Sequence, residues 1–256
     1  MDQARQHQNP RISLTTLDPE RWLGVKSGRF TRPTQFISAI AGLGMTFLFY
    51  GILSQFPDST GHIWFTELGW VPYAIVFFTC WSLAYLLLKW LKILSQRKAI
   101  GLKIVPEDPE FVLTPDTTDK VLVNMYDCAD EPRGFLLLNR VWSALSSMKN
   151  FGRLGDLEDL LQAQADNDEA ICESSYTVIR GLVWAIPVLG FIGTVIGLSE
   201  AIGSFGEVLA SSSDIDQIRT ELQSVTSGLR IAFITTLEAL VAALGLQLLL
   251  TAIRRV

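Results

Sequence analysis

Apolar positions along this chain are gathered into four long blocks. No charged residue lies between Arg32 and Asp58, a stretch reading PTQFISAIAGLGMTFLFYGILSQFP. None lies between Glu67 and Lys89, around LGWVPYAIVFFTCWSLAYLLL, and none between Arg180 and Glu200. Between Arg230 and Arg254 the one charge is Glu238. A helix needs about 20 mainly apolar residues to cross the hydrocarbon core of a bilayer. A helix in a soluble core keeps one face for water and breaks such runs with polar residues. The blocks therefore predict four transmembrane helices, over about 35–56, 70–91, 180–205 and 228–253. The fold class expected is an all-α, polytopic membrane protein.

The polar stretches between the blocks set the orientation. Arg5, Arg11, Arg21, Lys26, Arg29 and Arg32 precede span one, and no Lys or Arg occurs from Pro57 to Gly69. Lys89, Lys92, Arg97, Lys98 and Lys103 follow span two. Arg219 stands among Glu207, Asp214, Asp216 and Glu221 between spans three and four, and Arg254 and Arg255 follow span four. Lys and Arg stay on the cytoplasmic side. Both termini and the long middle segment are thus expected in the cytoplasm. The first apolar block begins too far along the chain, and is too long, for a cleaved signal peptide. Four segments are expected: an N-terminal extension (1–33), a first membrane hairpin (34–91), a cytoplasmic segment (92–179) and a second membrane hairpin (180–256).

Composition agrees with the pattern. Hydrophobic residues make up 49% of the 256 and charged residues 18%, and mean hydropathy is +0.31. That balance leaves little room for a soluble single-domain enzyme. A net charge of −5 argues against a nucleic-acid partner. Cys80 falls in a span, and Cys128 and Cys172 fall in the cytoplasmic segment, so a disulfide framework is not expected.

In the middle segment, KIVPEDPEFVLTPDTTDK reads as loop. FLLLNRVWSALSSMKN has helical spacing. DLEDLLQAQADNDEAICESSYTVIR then runs without Pro or Gly into span three, predicting one long continuous helix. Leu157, Leu160, Leu161, Ile171 and Val178 would form its packing stripe. Asp156, Glu158, Asp159, Asp166, Asp168, Glu169 and Glu173 would mostly face water.

Motifs of soluble-enzyme chemistry are missing. The sequence has no GxxxxGK[ST] phosphate loop, no GxGxxG after a strand, no HExxH, no CxxC and no GxSxG. His7 and His62, the two histidines, are expected on opposite sides of the membrane. No enzyme activity, cofactor or metal site is expected.

Spans three and four carry the chemistry. Pro187 interrupts the hydrogen bonding of span three and should kink or open it. Gly190, Gly193 and Gly197 lie close to one face, where a second helix can approach closely. Thr194 places a hydroxyl deep in apolar surroundings. In span four, Ala232, Thr236, Ala239, Ala243 and Gln247 share a small, polar face. Such a face suits either a helix seam, each Thr bonding its own i−4 carbonyl, or the wall of a watery path.

PVLGFIGTVIGLSEAI resembles the P-x-x-G-x-x-G-T-V-x-G signature of the MotA/TolQ/ExbB proton channel family. GLRIAFITTLEALVAALGLQLL, entered at Gly228, resembles that family's second signature. The likeness covers about residues 155–253, and the four spans are similar to MotA, where TolQ- and ExbB-like members typically have three. The resemblance implies a homopentamer around a pore made by the last two spans. It implies a partner in two copies, a single-span MotB-, ExbD- or TolR-like subunit carrying a protonatable Asp, and a driving flow of H+. By matching motifs, Thr194 and Thr236 take the pore positions, Pro187 the kink position, and Gly190, Gly193 and Gly197 the packing positions. Membrane lipids are the remaining implied neighbours.

The sequence departs from the family pattern in span four. The Glu that ExbB- and TolQ-like members carry five residues before the pore Thr is Ile231 here. The acid that others carry two residues before it is Ile234. Glu238 stands two residues after it instead, nearly opposite Thr236 on the helix. A charged Glu in a span costs at least a few kcal/mol, so this one should be neutral, paired or wet. It is expected to hydrogen-bond a Ser, Thr or Tyr of another span, or else to serve as a protonatable group in the ring wall. Thr235 and Glu238 would supply oxygen ligands if the ion were Na+. A scaffold that keeps the ring and conducts nothing is the reading from another class. Glu200 is expected at the outer end of span three, and Arg230 to snorkel outward or pair with an acid.

Overall fold

The computed structural model describes residues 13, 20, 30–102, 104–105, 114, 117–148, 154–210 and 215–255. The helices are α1 (Gln35–Leu53), α2 (Thr60–Thr66), α3 (Val71–Ile100), α4 (Thr118–Cys128), α5 (Leu136–Met148), α6 (Leu154–Ser174), α7 (Thr177–Ala210) and α8 (Ile215–Arg254). No strand occurs among the described residues. Four stretches are long and apolar enough to cross a membrane: Gln35–Leu53, Val71–Ile100, Leu157–Gly206 and Ile218–Arg254. The chain is an all-α polytopic membrane protein.

The helices outlast the apolar blocks. α3 runs to Ile100 and α8 starts at Ile215, well outside the predicted 70–91 and 228–253. A helix keeps its backbone bonds in water as well as in lipid, so polarity marks where the bilayer ends and not where the helix ends. Most of the N-terminal extension, and residues 106–113 and 115–116 of the predicted loop, lie outside the described residues.

The chain divides into two units, Gln35–Leu87 with Thr177–Val256, and Met1–Thr34 with Leu88–Tyr176. In the first, α7 and α8 run antiparallel along one continuous seam. α1 meets α3 where Trp81 Nε1 donates to the buried Ser38 hydroxyl at 3.1 Å. Gly42 is required there, because a Cβ would sit 2.5 Å from Trp81 Cα. The predicted bare connection between spans one and two holds the short helix α2, whose first turn is capped by Ser59 accepting from His62 N–H at 3.1 Å. Tyr50 stacks on Tyr73 and Phe49 meets Phe65 edge-on. Tyr50 donates to the Phe65 carbonyl at 3.2 Å. Aromatic rings with one polar tip suit a span end.

The second unit has its own small core. Ala99, Ile104, Val121, Met125, Ala129, Phe135, Leu138 and Leu145 are buried together, with Trp142 and Val141 against them. α4 was not expected from the sequence. Its signal was present in Val121, Met125 and Cys128 at i, i+4 and i+7, all buried. Gln96 of α3 ties the start of α5, donating to the Gly134 carbonyl at 3.1 Å and accepting from Leu136 N–H at 2.9 Å. This satisfies one of the free N–H groups at a helix start.

Two corrections fall in this unit. The predicted continuous helix breaks at Ser175–Tyr176. Ser174 and Ser175 turn their hydroxyls onto the Ile171 and Cys172 carbonyls, and Tyr176 N–H bonds three residues back to Glu173 at 3.0 Å. Hydroxyls competing for helix carbonyls locally weaken the α pattern. Asp168, expected to face water, is buried and pairs with Arg140 at 3.0 Å. The predicted stripe on α6, Leu157, Leu160, Leu161 and Ile171, is half-buried.

A buried polar network that sequence reasoning did not anticipate centres on two lysines of α3. Lys92 pairs with Glu20 at 2.6 Å, both almost fully enclosed. Glu20 also accepts from the Thr34 N–H at 2.6 Å and its hydroxyl at 3.2 Å. Thr34 directly precedes α1, so one carboxylate neutralises a buried ammonium and helps cap a helix. Lys89 donates to Ser175 and lies over the Tyr176 ring at 3.7 Å.

Candidate functional site

The small residues predicted in spans three and four meet each other. Gly190, Gly193 and Gly197 all turn to α8, where they face Ala239, Thr235 and Gly228 with Ala232. A Cβ on Gly190 would come within 2.5 Å of the Ala239 Cβ, and one on Gly228 within 2.6 Å of the Gly197 carbonyl. Backbone nearly touches backbone at this crossing, which only glycine permits. Towards one end the seam closes with Ser204 and Ser224 hydrogen-bonded at 2.8 Å. Further along α7 and α8, Ile179, Ile186, Leu246 and Leu250 are buried.

At the middle of this seam the Thr194 and Thr236 hydroxyls hydrogen-bond one another. Each also reaches two backbone carbonyls. Thr194 Oγ1 lies 3.3 Å from the Gly190 oxygen and 3.2 Å from that of Ala232. Thr236 Oγ1 lies 3.2 Å from the Gly190 oxygen and 2.8 Å from that of Ala232. The four oxygens form one closed cluster, and the i−4 back-bonding expected of a seam is joined by bonds across it. Each hydroxyl has one proton to give. Two protons thus serve more acceptors than they can satisfy at once, and rotation about the Cβ–O bonds redistributes them. Both side chains are half-buried.

The other predicted site residues separate from this pair. Thr235 is fully buried, packs against Gly193, and gives its hydroxyl to its own Ile231 carbonyl at 2.8 Å. Pro187 sits inside α7 without ending it. It has no N–H for the carbonyl four residues back, so one hydrogen bond is missing in mid-helix. Ala232, Ala239 and Ala243 are buried on the face expected for them, but Gln247 is exposed. The face drifts away from α7 over its last turn, as a straight helix does against a seam. Glu200 and Arg230 are exposed.

Glu238 is buried, 8% exposed. It lies on a different face of α8 from Thr236, within electrostatic reach of Tyr50 of α1. The expected hydrogen bond to a Ser, Thr or Tyr of another span is not formed. Neither carboxylate oxygen has a hydrogen-bond partner among the described residues, and Tyr50 donates to the Phe65 carbonyl instead. Short polar side chains from other spans end on their own helix turns here. Thr46 and Thr79 donate to carbonyls four residues back, at 2.8 and 2.7 Å.

Comparison with known proteins gives one finding, as neither the curated proteins nor the solved structures include a significant match. The part of the chain holding α7, α8 and their approach from α5 is the part that matches a family. Residues 140–256 match the sequence model of the MotA/TolQ/ExbB proton channel family.

Proposed function

We propose that the chain is the pore-forming ring subunit of a membrane motor or energiser driven by the proton motive force. In this reading five copies form the ring in a bacterial inner membrane, with both termini in the cytoplasm. Two copies of a single-span MotB-, ExbD- or TolR-like partner pass through it and carry the Asp that takes up and releases protons. The 34–91 hairpin holds the outside of the ring, and the 92–179 segment lies on the cytoplasmic side.

The observation that carries this reading is the half-buried hydroxyl pair at mid-seam. A carboxylate arriving there meets a group that can donate to its charged form and accept from its neutral form. Low-dielectric surroundings strengthen both interactions. Among the described residues no carboxylate bonds the Thr194–Thr236 cluster, which fits a device whose titrating acid is brought by a partner. The Thr235 hydroxyl is turned onto its own helix, which favours H+ over a Na+ site built from a fuller oxygen shell.

Proton flux into vesicles holding the chain and its partner tests the proposal. Thr194→Ala and Thr236→Ala should each lower flux at least tenfold, and Thr236→Ser, which keeps the hydroxyl, should retain most of it. Flux unchanged in both alanine variants would leave a ring that does not conduct through this seam. Flux that requires Na+ in the medium would select the sodium-driven version.

A further inference from the structure

Glu238 is a carboxyl group enclosed in the membrane unit with both oxygens unpartnered among the described residues. This arrangement is unfavourable in either protonation state. Among the described residues the charged form lacks donors, and the neutral form leaves an O–H and a C=O unbonded. A leucine would pack there without that cost. The titratable groups on the helices opposite are Tyr50 of α1, within its electrostatic reach, and Cys80 of α3, which lies near Tyr50. Tyr50 is engaged elsewhere, donating to the Phe65 carbonyl at 3.2 Å. On α8 itself the nearest charge is Arg230, two turns away and exposed.

The same face of α8 continues into an apolar groove. Ala242, Gly245 and Leu249 lie one, two and three turns beyond Glu238. With Thr79 and Leu83 of α3 they line a groove of about 570 Å³. An apolar molecule dissolved in lipid can reach this face of the helix without passing through the Thr194–Thr236 seam.

We infer that Glu238 is a second proton-binding site of this protein, set in the wall between α8 and the α1–α3 side and separate from the hydroxyl pair. It binds and releases H+ as a carboxylic acid and carboxylate. As part of the conduction cycle this rests on the proposed proton-channel function. As a binding site it does not.

A membrane-soluble carbodiimide tests it on the full chain, with and without the partner. The neutral acid adds its O–H across one C=N bond, the proton going to nitrogen and the acyl oxygen to the central carbon. Migration of the acyl group from oxygen to nitrogen then leaves a stable N-acylurea, and no atom is lost. Mass spectrometry should find the Glu238 peptide heavier by one carbodiimide, with a yield that falls as pH rises. Glu238→Gln should not label at this position. Glu238→Gln should lower proton flux at least tenfold, and Glu238→Asp should keep a measurable share. Glu238→Leu should melt no lower than the wild type, whereas a structural hydrogen-bonding role demands a lower melting point. An unlabelled Glu238, or full flux in Glu238→Gln, overturns the inference. If the wild type passes no protons with any partner, the channel reading falls. Labelling at Glu238 with the stated pH dependence would then still support the site, and its absence would overturn it.

Discussion

Substituting Gly197 tests the seam at its tightest point. A Cβ at Gly197 would stand 2.6 Å from the Ala232 nitrogen and 3.1 Å from the Ala232 Cβ. Two of its three nearest neighbours are backbone atoms of α8, which cannot rotate away. To bring the nearest of these atoms, the Gly228 carbonyl oxygen, to ordinary contact near 3.4 Å the helices must separate by about 1 Å, enough to forfeit about a quarter to a half of each dispersion contact along the crossing. The same shift stretches the Thr194–Thr236 cluster. Gly203 lies on the same helix with open space where its Cβ would be. Replacing either by Ala brings the same gain in helix propensity, about 1 kcal/mol, and this cancels between them. What remains is the overpacking term, about 1–3 kcal/mol. Gly197→Ala should therefore be less stable than Gly203→Ala by about 2 kcal/mol, read by denaturant titration in one detergent. Equal stability of the two variants would refute the close crossing, and with it the geometry that brings the hydroxyls together.

Three further outcomes are expected. Glu20→Gln removes the charged partner of a buried Lys92 and should destabilise by about 3 kcal/mol; Glu20→Leu with Lys92→Met should recover most of it, as chemical unfolding of the wild type and the two variants would show. Asp168→Ala should lower the stability of the α5–α6 pairing by about 1–2 kcal/mol, seen as faster amide exchange in Leu136–Met148, and no change in exchange there would refute the pairing. Gln96→Ala should expose the first turn of α5, at a cost of about 1 kcal/mol, with the loss of exchange protection confined to that turn.

The four spans were legible in the sequence because each is an uninterrupted apolar run, a signal that depends on the solvent and not on neighbouring helices. Gly190, Gly193 and Gly197 were legible as a packing face by their spacing alone. The pairing of Thr194 with Thr236 was not, since it depends on the register of two helices and periodicity fixes only which face each presents. Asp168 was assigned to water because a charge run usually is solvated; its partner Arg140 sits on a different helix. The Glu20–Lys92 pair joins residues far apart in sequence, and nothing local announces it. For Glu238 the cost of burial and the opposite facing could be read from its position, but the expected partner from another span is not found among the described residues, where Thr46 and Thr79 close onto their own helices.

The measurement that bears most directly on the ring-subunit reading is native mass spectrometry of the chain, purified from membranes alone and after co-expression with candidate single-span subunits. Five copies that take up two copies of one such partner is the result expected. A monomer or dimer that binds none of them would contradict it.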